Sequence, residues 1–317
     1  MPNSNKNNGK RIGFAGCRVT THDAIVNLIK QGYKIDYLIT ISPDDAANKY
    51  HISGYEDLQD LARNNAITVH HVEDYRLREG ERDREVITAM KLDLLIALGW
   101  QRIIPKWFLG ILSIGSIGMH GGPELPPFGR GHSVMNWSLI EGRTKFLSYL
   151  FFYLPKVDAG PIIGTYEYDI NTWDTCETLH FKYQLSMGRL LVENLPKILS
   201  GDFETIPQKS HGATYYPRRT PDDGVIDWNQ QVHAIHNLVR GVTHPYPGAF
   251  TELEGKRITI WRGQPFDTKI TWNVKPGTIV EVFYNGNFVV QTRNFGLLVD
   301  DYDGIRLTSA DIGKVLG

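Results

Sequence analysis

His120 and Asp158 are the side chains of this 317-residue chain whose types and surroundings best suit proton transfer. His120 ends an apolar run, Ser113–His120, and is followed by the Gly- and Pro-dense loop GGPELPPFGRG. Asp158 sits in the turn VDAG. Strand ends of open α/β sheets are where ligands gather. An imidazole and a carboxylate on neighbouring loops there can move a proton near neutral pH. The competing reading is a histidine packed beneath a glycine-rich loop and an aspartate that caps a turn. Other motifs carry less. Gly13 and Gly16 lack the third glycine of a dinucleotide fingerprint and read as a tight strand–helix turn. His70 and His71 are adjacent on a predicted strand, so they point to opposite faces and do not share a metal. Cys17 and Cys176 make neither a disulfide framework nor a zinc set, and no metal site is expected.

The elements that must position this pair alternate along the first half of the chain. Strands are expected at Arg11–Gly16, Ile35–Ile41, Ile67–His70, Asp93–Leu98 and Phe146–Leu154. Helices are expected at Asp23–Gln31, Tyr55–Asn64, Arg82–Lys91, His132–Glu141 and Cys176–Leu199. Continuous apolar strands such as Asp93–Leu98 suit a parallel sheet covered on both faces. The alternation predicts a doubly wound α/β domain over residues 11–203, preceded by a polar, Asn-rich tail, residues 1–10, expected to be disordered. A Pro-rich polar stretch, Gly201–Asp223, reads as a linker. After a helical patch at Gln230–Val239 come short β runs, the last at Gly304–Ser309, with Asn285-Gly286 as a hairpin signal. Residues 204–317 are therefore expected to form a small OB-like barrel, one exposed face of which would suit a homodimer.

Composition narrows the partners. The chain is 41% hydrophobic and 22% charged with a net charge of −1, so it lacks the basic excess of a nucleic-acid binder. No apolar run reaches the length of a membrane span. Two cysteines and no signal-peptide pattern point to a reducing, cytoplasmic setting.

Two separated segments, in this order, carry a resemblance: "IGMHGGPELPPFGRGHSVMNWSLIEG…PKVDAGPII" and "RRTPDDGVIDWNQQVHAIHNLVRGVTHPYPGAFTELEGKRITIWR". They resemble the 10-formyltetrahydrofolate-dependent formyltransferases, in particular those acting on amino sugars such as UDP-4-amino-4-deoxy-L-arabinose, and those acting on methionyl-tRNA. The resemblance implies a Rossmann-like formyltransferase domain, 10-formyltetrahydrofolate as formyl donor, and a nucleotide-linked amino sugar as acceptor. His120 and Asp158 match the family's catalytic histidine and aspartate; Leu125-Pro126 and Arg130-Gly131 match its active-site loop. Leu98, Gly99, Trp100, Gln101 and Ile103, with Val157 and Asp158, are the implied folate-binding positions, Trp100 being equally suited to core packing. Arg130, Gly131, Arg218 and Arg219 are implied contacts to the acceptor, because an arginine fork pairs two phosphate oxygens. Ion pairs with Asp222 and Asp223 are the plainer use of Arg218 and Arg219.

One position departs from the family. Gly118 stands where its members carry an asparagine whose carboxamide is expected to meet the formyl oxygen. Losing such a donor typically costs on the order of 10²–10³ in rate. The departure leaves open compensation by another group, with Asn136 one candidate, or a catalytically impaired binding homologue. A methionyl-tRNA formyltransferase remains the alternative reading of the acceptor.

Overall fold

The computed structural model describes residues 6–52, 54–78, 81–156, 158–209 and 211–317. In chain order the regular elements are β1 (Ile12–Ala15), α1 (Val19–Lys30), β2 (Tyr37–Thr40), α2 (Gln59–Asn64), β3 (Thr68–His71), α3 (Glu81–Ala89), β4 (Leu94–Ala97), α4 (Lys106–Leu109), β5 (Gly115–Gly122), β6 (Arg130–Gly131) and α5 (Val134–Ile140). There follow β7 (Lys145–Phe152), β8 (Ile162–Asp169), α6 (Cys176–Ser200), β9 (Tyr215–Tyr216), α7 (Val232–Val242), β10 (Ala249–Leu253), β11 (Lys256–Pro265), β12 (Ile279–Val282), β13 (Phe288–Gln291) and β14 (Gly296–Asp303).

Strand–helix alternation produces a seven-stranded sheet in the order β3-β2-β1-β4-β5-β7-β8. The pairs β2–β3, β1–β2, β1–β4 and β4–β5 are parallel. Each residue of β1 and β4 is buried, the outcome expected when both faces of a parallel sheet are covered. Ile12, Phe14, Leu94 and Ile96 pack with Ile25 and Leu28 of α1 and Leu191 and Leu195 of α6. Ala15, Leu95 and Ala97, pointing the other way, pack with Ile87 of α3 and Phe108 of α4. Chain order reverses about β1, with β2 on one side and β4 on the other, which creates a crevice at the carboxyl ends of the strands. The first turn of α1 and the loop after β4 meet there: the Thr21 hydroxyl donates to the Leu98 carbonyl at 2.6 Å.

Contacts divide the chain into two compact units, residues 1–121, 147–166 and 183–212 in one and residues 122–146, 167–182 and 213–317 in the other. This partition differs from a single cut between residues 203 and 204. The loop and helix after His120 are held by C-terminal residues: β6 pairs with β9, and the Asn136 amide donates to the Gly241 carbonyl at 2.7 Å. Residues 167–182 follow for the same reason, since Arg240 donates to the carbonyls of Asn171 and Asp174.

Within the second unit a five-stranded antiparallel sheet runs β10-β11-β14-β13-β12. Val232, Ile235, Val239 and Val242 of α7 lie in the core built with this sheet. Its order leaves β10 and β12 at opposite ends of an antiparallel half-barrel, and among the described residues no pairing of these edges closes it into the expected OB-like barrel. The Asn285-Gly286 turn does join β12 to β13, with Gly286 at φ +93. The strand expected at Gly304–Ser309 is absent: a Cβ at Gly304 would press on the Arg257 carbonyl, and a capped 3-10 turn at Ser309–Asp311 follows. The expected disorder of residues 1–10 fails for residues 6–10. Asn7 is fully buried and its side chain exchanges hydrogen bonds with the backbone of Lys34. Residues 1–5 lie outside the described residues. No helix among the described residues is long and apolar enough to cross a membrane.

Candidate active site

Gly118 and His120 lie two residues apart near the carboxyl end of β5 and so project to one face of the sheet. Gly118 pairs with Ala97, the last residue of β4. Tyr149, Phe151 and Tyr153 likewise alternate along β7 and its continuation, with ring centroids 5.9 and 5.3 Å apart in succession. The two rows meet. The His120 ring stands edge-on to Tyr149 at 5.7 Å, and the ring of Tyr153 covers Gly118. A Cβ at position 118 would collide with Cε2 of Tyr153 and lie 2.9 Å from its hydroxyl oxygen. Backbone hydrogen bonding fixes this register, since the Tyr153 amide donates to the Ser116 carbonyl at 2.7 Å.

Asp158 is partly buried and holds a left-handed backbone conformation, φ +46, that costs a non-glycine residue energy. Its carboxylate is near enough to act on the Tyr153 phenol: burial first, then the Asp158 charge, push that phenol well above its ordinary pKa. The phenol is therefore a neutral hydrogen-bond donor at neutral pH. Imidazole, phenol and carboxylate thus gather about β5 and β7, around a position that carries no side chain. Sequence reading missed Tyr153. The signal available was the period-two aromatic row Tyr149, Phe151, Tyr153.

The loop after β4 divides its residues between core and surface. Leu98 and Trp100 are buried, with Trp100 edge-on to Tyr75 at 4.8 Å; core packing is thus one use of Trp100. Its Nε1 is nevertheless buried with no hydrogen-bond partner among the described residues. Gly99 has φ +76, and a Cβ there would lie 2.6 Å from the Thr21 hydroxyl, so only glycine fits. Gln101 and Ile103 are exposed, and the Gln101 amide donates to the Tyr75 hydroxyl at 3.2 Å. Val157 lies outside the described residues.

The remaining sequence candidates belong to the second unit. Arg130 is buried, 3% exposed, and its Nη1 donates to the Tyr215 hydroxyl at 3.4 Å. At Gly131, φ +104, a Cβ would collide with the Tyr216 carbonyl; the glycine lets β6 and β9 approach. Arg218 is exposed. Among the described residues Arg219 pairs with no carboxylate: its Nη2 donates to the Asp223 carbonyl, and its guanidinium lies over the Trp137 ring at 4.7 Å. Asn136 is 3% exposed, and one N–H of its carboxamide is committed to the Gly241 carbonyl. Asn136→Ala is expected to cost about 1–3 kcal/mol in denaturant unfolding, by orphaning that carbonyl. Turnover per folded molecule should be unchanged; a collapse of turnover at intact stability would put Asn136 in the site instead. Outside both groups, His70 shares a 2.9 Å hydrogen bond with buried Asp83, which also accepts from the amides of Glu73 and Asp74.

Comparison with known proteins agrees with this architecture. Residues 26–195 match the family described as "Formyl transferase", and residues 218–305 match "Formyl transferase, C-terminal domain". The chain belongs to the formyltransferase family, whose members are transferases of one-carbon groups. It is 29% identical over 320 residues to a methionyl-tRNA formyltransferase of Bacillus velezensis, covering 97% of this chain and 98% of that protein. Among solved structures it is similar to a sugar 3N-formyl transferase, WlaRD, crystallised with dTDP and 5-N-formyl-THF: TM-score 0.65, 16% identity, 94% of this chain and 99% of that one. An N-formyltransferase of Helicobacter canadensis, in complex with folinic acid and dTDP-3-aminofucose, gives TM-score 0.63 and 18% identity over 93% of this chain and 100% of that one. HypX of Aquifex aeolicus, in complex with tetrahydrofolic acid, gives TM-score 0.63 and 18% identity over 95% of this chain, which spans 46% of HypX. At these identities the structural likeness speaks for the fold: a Rossmann-like N-terminal half followed by a C-terminal antiparallel sheet.

Proposed function

We propose that this chain moves the formyl group of 10-formyltetrahydrofolate to the amine of a nucleotide-linked amino sugar, with residues 11–203 carrying the chemistry and residues 204–317 forming the smaller domain. The observation that carries the reading is the meeting of the Gly118–His120 row with the Tyr149–Tyr153 row beside Asp158, at a strand end of a formyltransferase-family fold. The loop after β4 fits a folate donor. Gly99 lets the backbone turn tightly, Gln101 and Ile103 face outward, and the buried Trp100 Nε1 is a donor still to be matched. Leu98, Gly99, Trp100, Gln101, Ile103, Val157 and Asp158 are the proposed folate contacts, and Arg218 and Arg219 the proposed phosphate contacts. Arg130 and Gly131 shape the loop after His120.

When bound, the donor supplies an electrophilic formyl carbon. The acceptor nitrogen, neutral when it attacks, forms a bond to that carbon, and the bond from the carbon to the folate nitrogen breaks. One proton passes from the acceptor to the leaving nitrogen. His120 is the proposed relay, and Asp158 the carboxylate proposed to orient the imidazole and favour its protonated form.

Charge favours a sugar nucleotide over RNA. Residues 204–317 hold 12 Lys and Arg against 12 Asp and Glu, with no basic excess for a polyphosphate backbone. The methionyl-tRNA reading is kept by the full-length similarity to the Bacillus velezensis enzyme. The test supplies 10-formyltetrahydrofolate with a panel of UDP- and dTDP-linked 3- and 4-amino sugars, or with methionyl-tRNA, and weighs the products by mass spectrometry. Formylated sugar is the expected result. Formylated methionyl-tRNA alone, with a rate that falls steeply with salt, would replace the sugar reading. No product from any acceptor would leave a binding homologue.

A further inference from the structure

We propose that the Tyr153 phenol donates the hydrogen bond that stabilises the formyl oxygen as negative charge develops on it, in the volume where residue 118 has no side chain. The inference rests on the formyl-transfer reading of the same site.

Four observations converge. First, the phenol fills the side-chain space of Gly118. A Cβ there would lie 2.8 Å from Cζ and 2.9 Å from the hydroxyl oxygen of Tyr153. A polar side chain rooted at 118 and the phenol of Tyr153 are therefore alternative occupants of one place. Second, the Tyr153 hydroxyl has no hydrogen-bond partner among the described residues, although the ring is partly buried. Unlike the hydroxyls of Tyr149 and Tyr168, it is not among the fully buried polar atoms, so its O–H is open to a bound ligand. Third, the phenol is preorganised. Its ring packs on Phe151 at 5.3 Å and its backbone amide is tied to Ser116, so its position costs nothing to establish during reaction. Fourth, burial and the Asp158 carboxylate hold the phenol in its protonated form.

The chemistry balances without further reagents. The phenol keeps its O–H bond throughout and only strengthens a hydrogen bond to the oxygen. The transferred proton travels from the acceptor amine to the leaving nitrogen, with His120 as relay. Gly118 follows from the same arrangement: any larger residue there would displace the ring.

Tyr153→Phe removes one atom and keeps the packing. Its kcat for formyl transfer is expected to fall about 10²–10³-fold, with the KM for the donor little changed. A variant within threefold of the parent overturns the proposal. A second measurement does not need turnover. Protein carrying ¹³Cζ-labelled tyrosine is titrated with 10-formyl-5,8-dideazafolate and with 5,8-dideazafolate, and the Tyr153 signal is assigned by its loss in Tyr153→Phe. The signal is expected to move with the formylated analogue and to stay with the unformylated one; no difference between the two overturns the proposal. If the parent forms no product with any acceptor, the formyl-transfer reading fails and the labelled signal alone decides on Tyr153. If neither analogue binds, the folate reading and the Tyr153 role fall together.

Discussion

His120→Ala is expected to lower formyl transfer by about 10²–10⁴-fold, the range general acid–base groups contribute, while the protein keeps its fold. The two halves of this expectation come from different features. His120 is near the end of β5 and partly buried, with its ring edge-on to Tyr149. The pairing of β5 with β4 is carried by backbone atoms from Leu94 to Ala97 and from Gly115 to Gly118, so it does not depend on the imidazole. Truncation therefore leaves the strand pairing in place. The check is kcat with saturating donor, measured beside a thermal melt. A variant that melts like the parent and retains a tenth or more of its rate would mean that His120 merely packs beneath its loop.

What the sequence disclosed depended on whether the information was local. β1 and β4 were legible because a strand buried on both faces reads as a continuous apolar run, and Ile12–Ala15 and Leu94–Ala97 are such runs. His120 and Asp158 were readable as candidates, since each lies beside characteristic loop residues. Tyr153 was not. Its proposed role comes from filling the space over Gly118, a relation between β5 and the end of β7 that no spacing along the chain encodes. The same holds for Asn136, whose partner is the carbonyl of Gly241, and for Asn7, which is drawn into the turn before β2. Read alone, Gly118 looked like a loss. With Tyr153 in view, glycine is what the neighbouring ring requires. Gly118→Asn is accordingly not a simple repair, because the new side chain starts inside an occupied volume. The C-terminal half-barrel has a similar cause: alternating apolar residues specify strands and hairpins, but the closure of a sheet depends on which edges find each other.

Asp158 permits a sharper separation of charge from backbone. At φ +46 the residue occupies a left-handed conformation that asparagine adopts readily and glycine adopts without steric cost. Asp158→Asn is thus close to isosteric in side chain and backbone, and it removes the negative charge alone. Formyl transfer is expected to fall about 10²-fold or more, because the imidazole loses the partner proposed to favour its protonated form. Asp158→Gly should lose at least as much activity. Yet its melting temperature should be unchanged or higher, since relief of a strained non-glycine residue returns on the order of 1 kcal/mol. Activity and stability would then move in opposite directions at one position, as expected where strain is kept for the sake of a functional group. The carboxylate also contributes to holding the Tyr153 phenol above its ordinary pKa. In Asp158→Asn that titration should move down, followed by ultraviolet absorbance of the phenolate against a Tyr153→Phe background. It should remain above the ordinary phenol value, because burial, the larger cause, is untouched. If Asp158→Gly were instead fully active, the aspartate would be a turn-former and the proton relay would have to run without it.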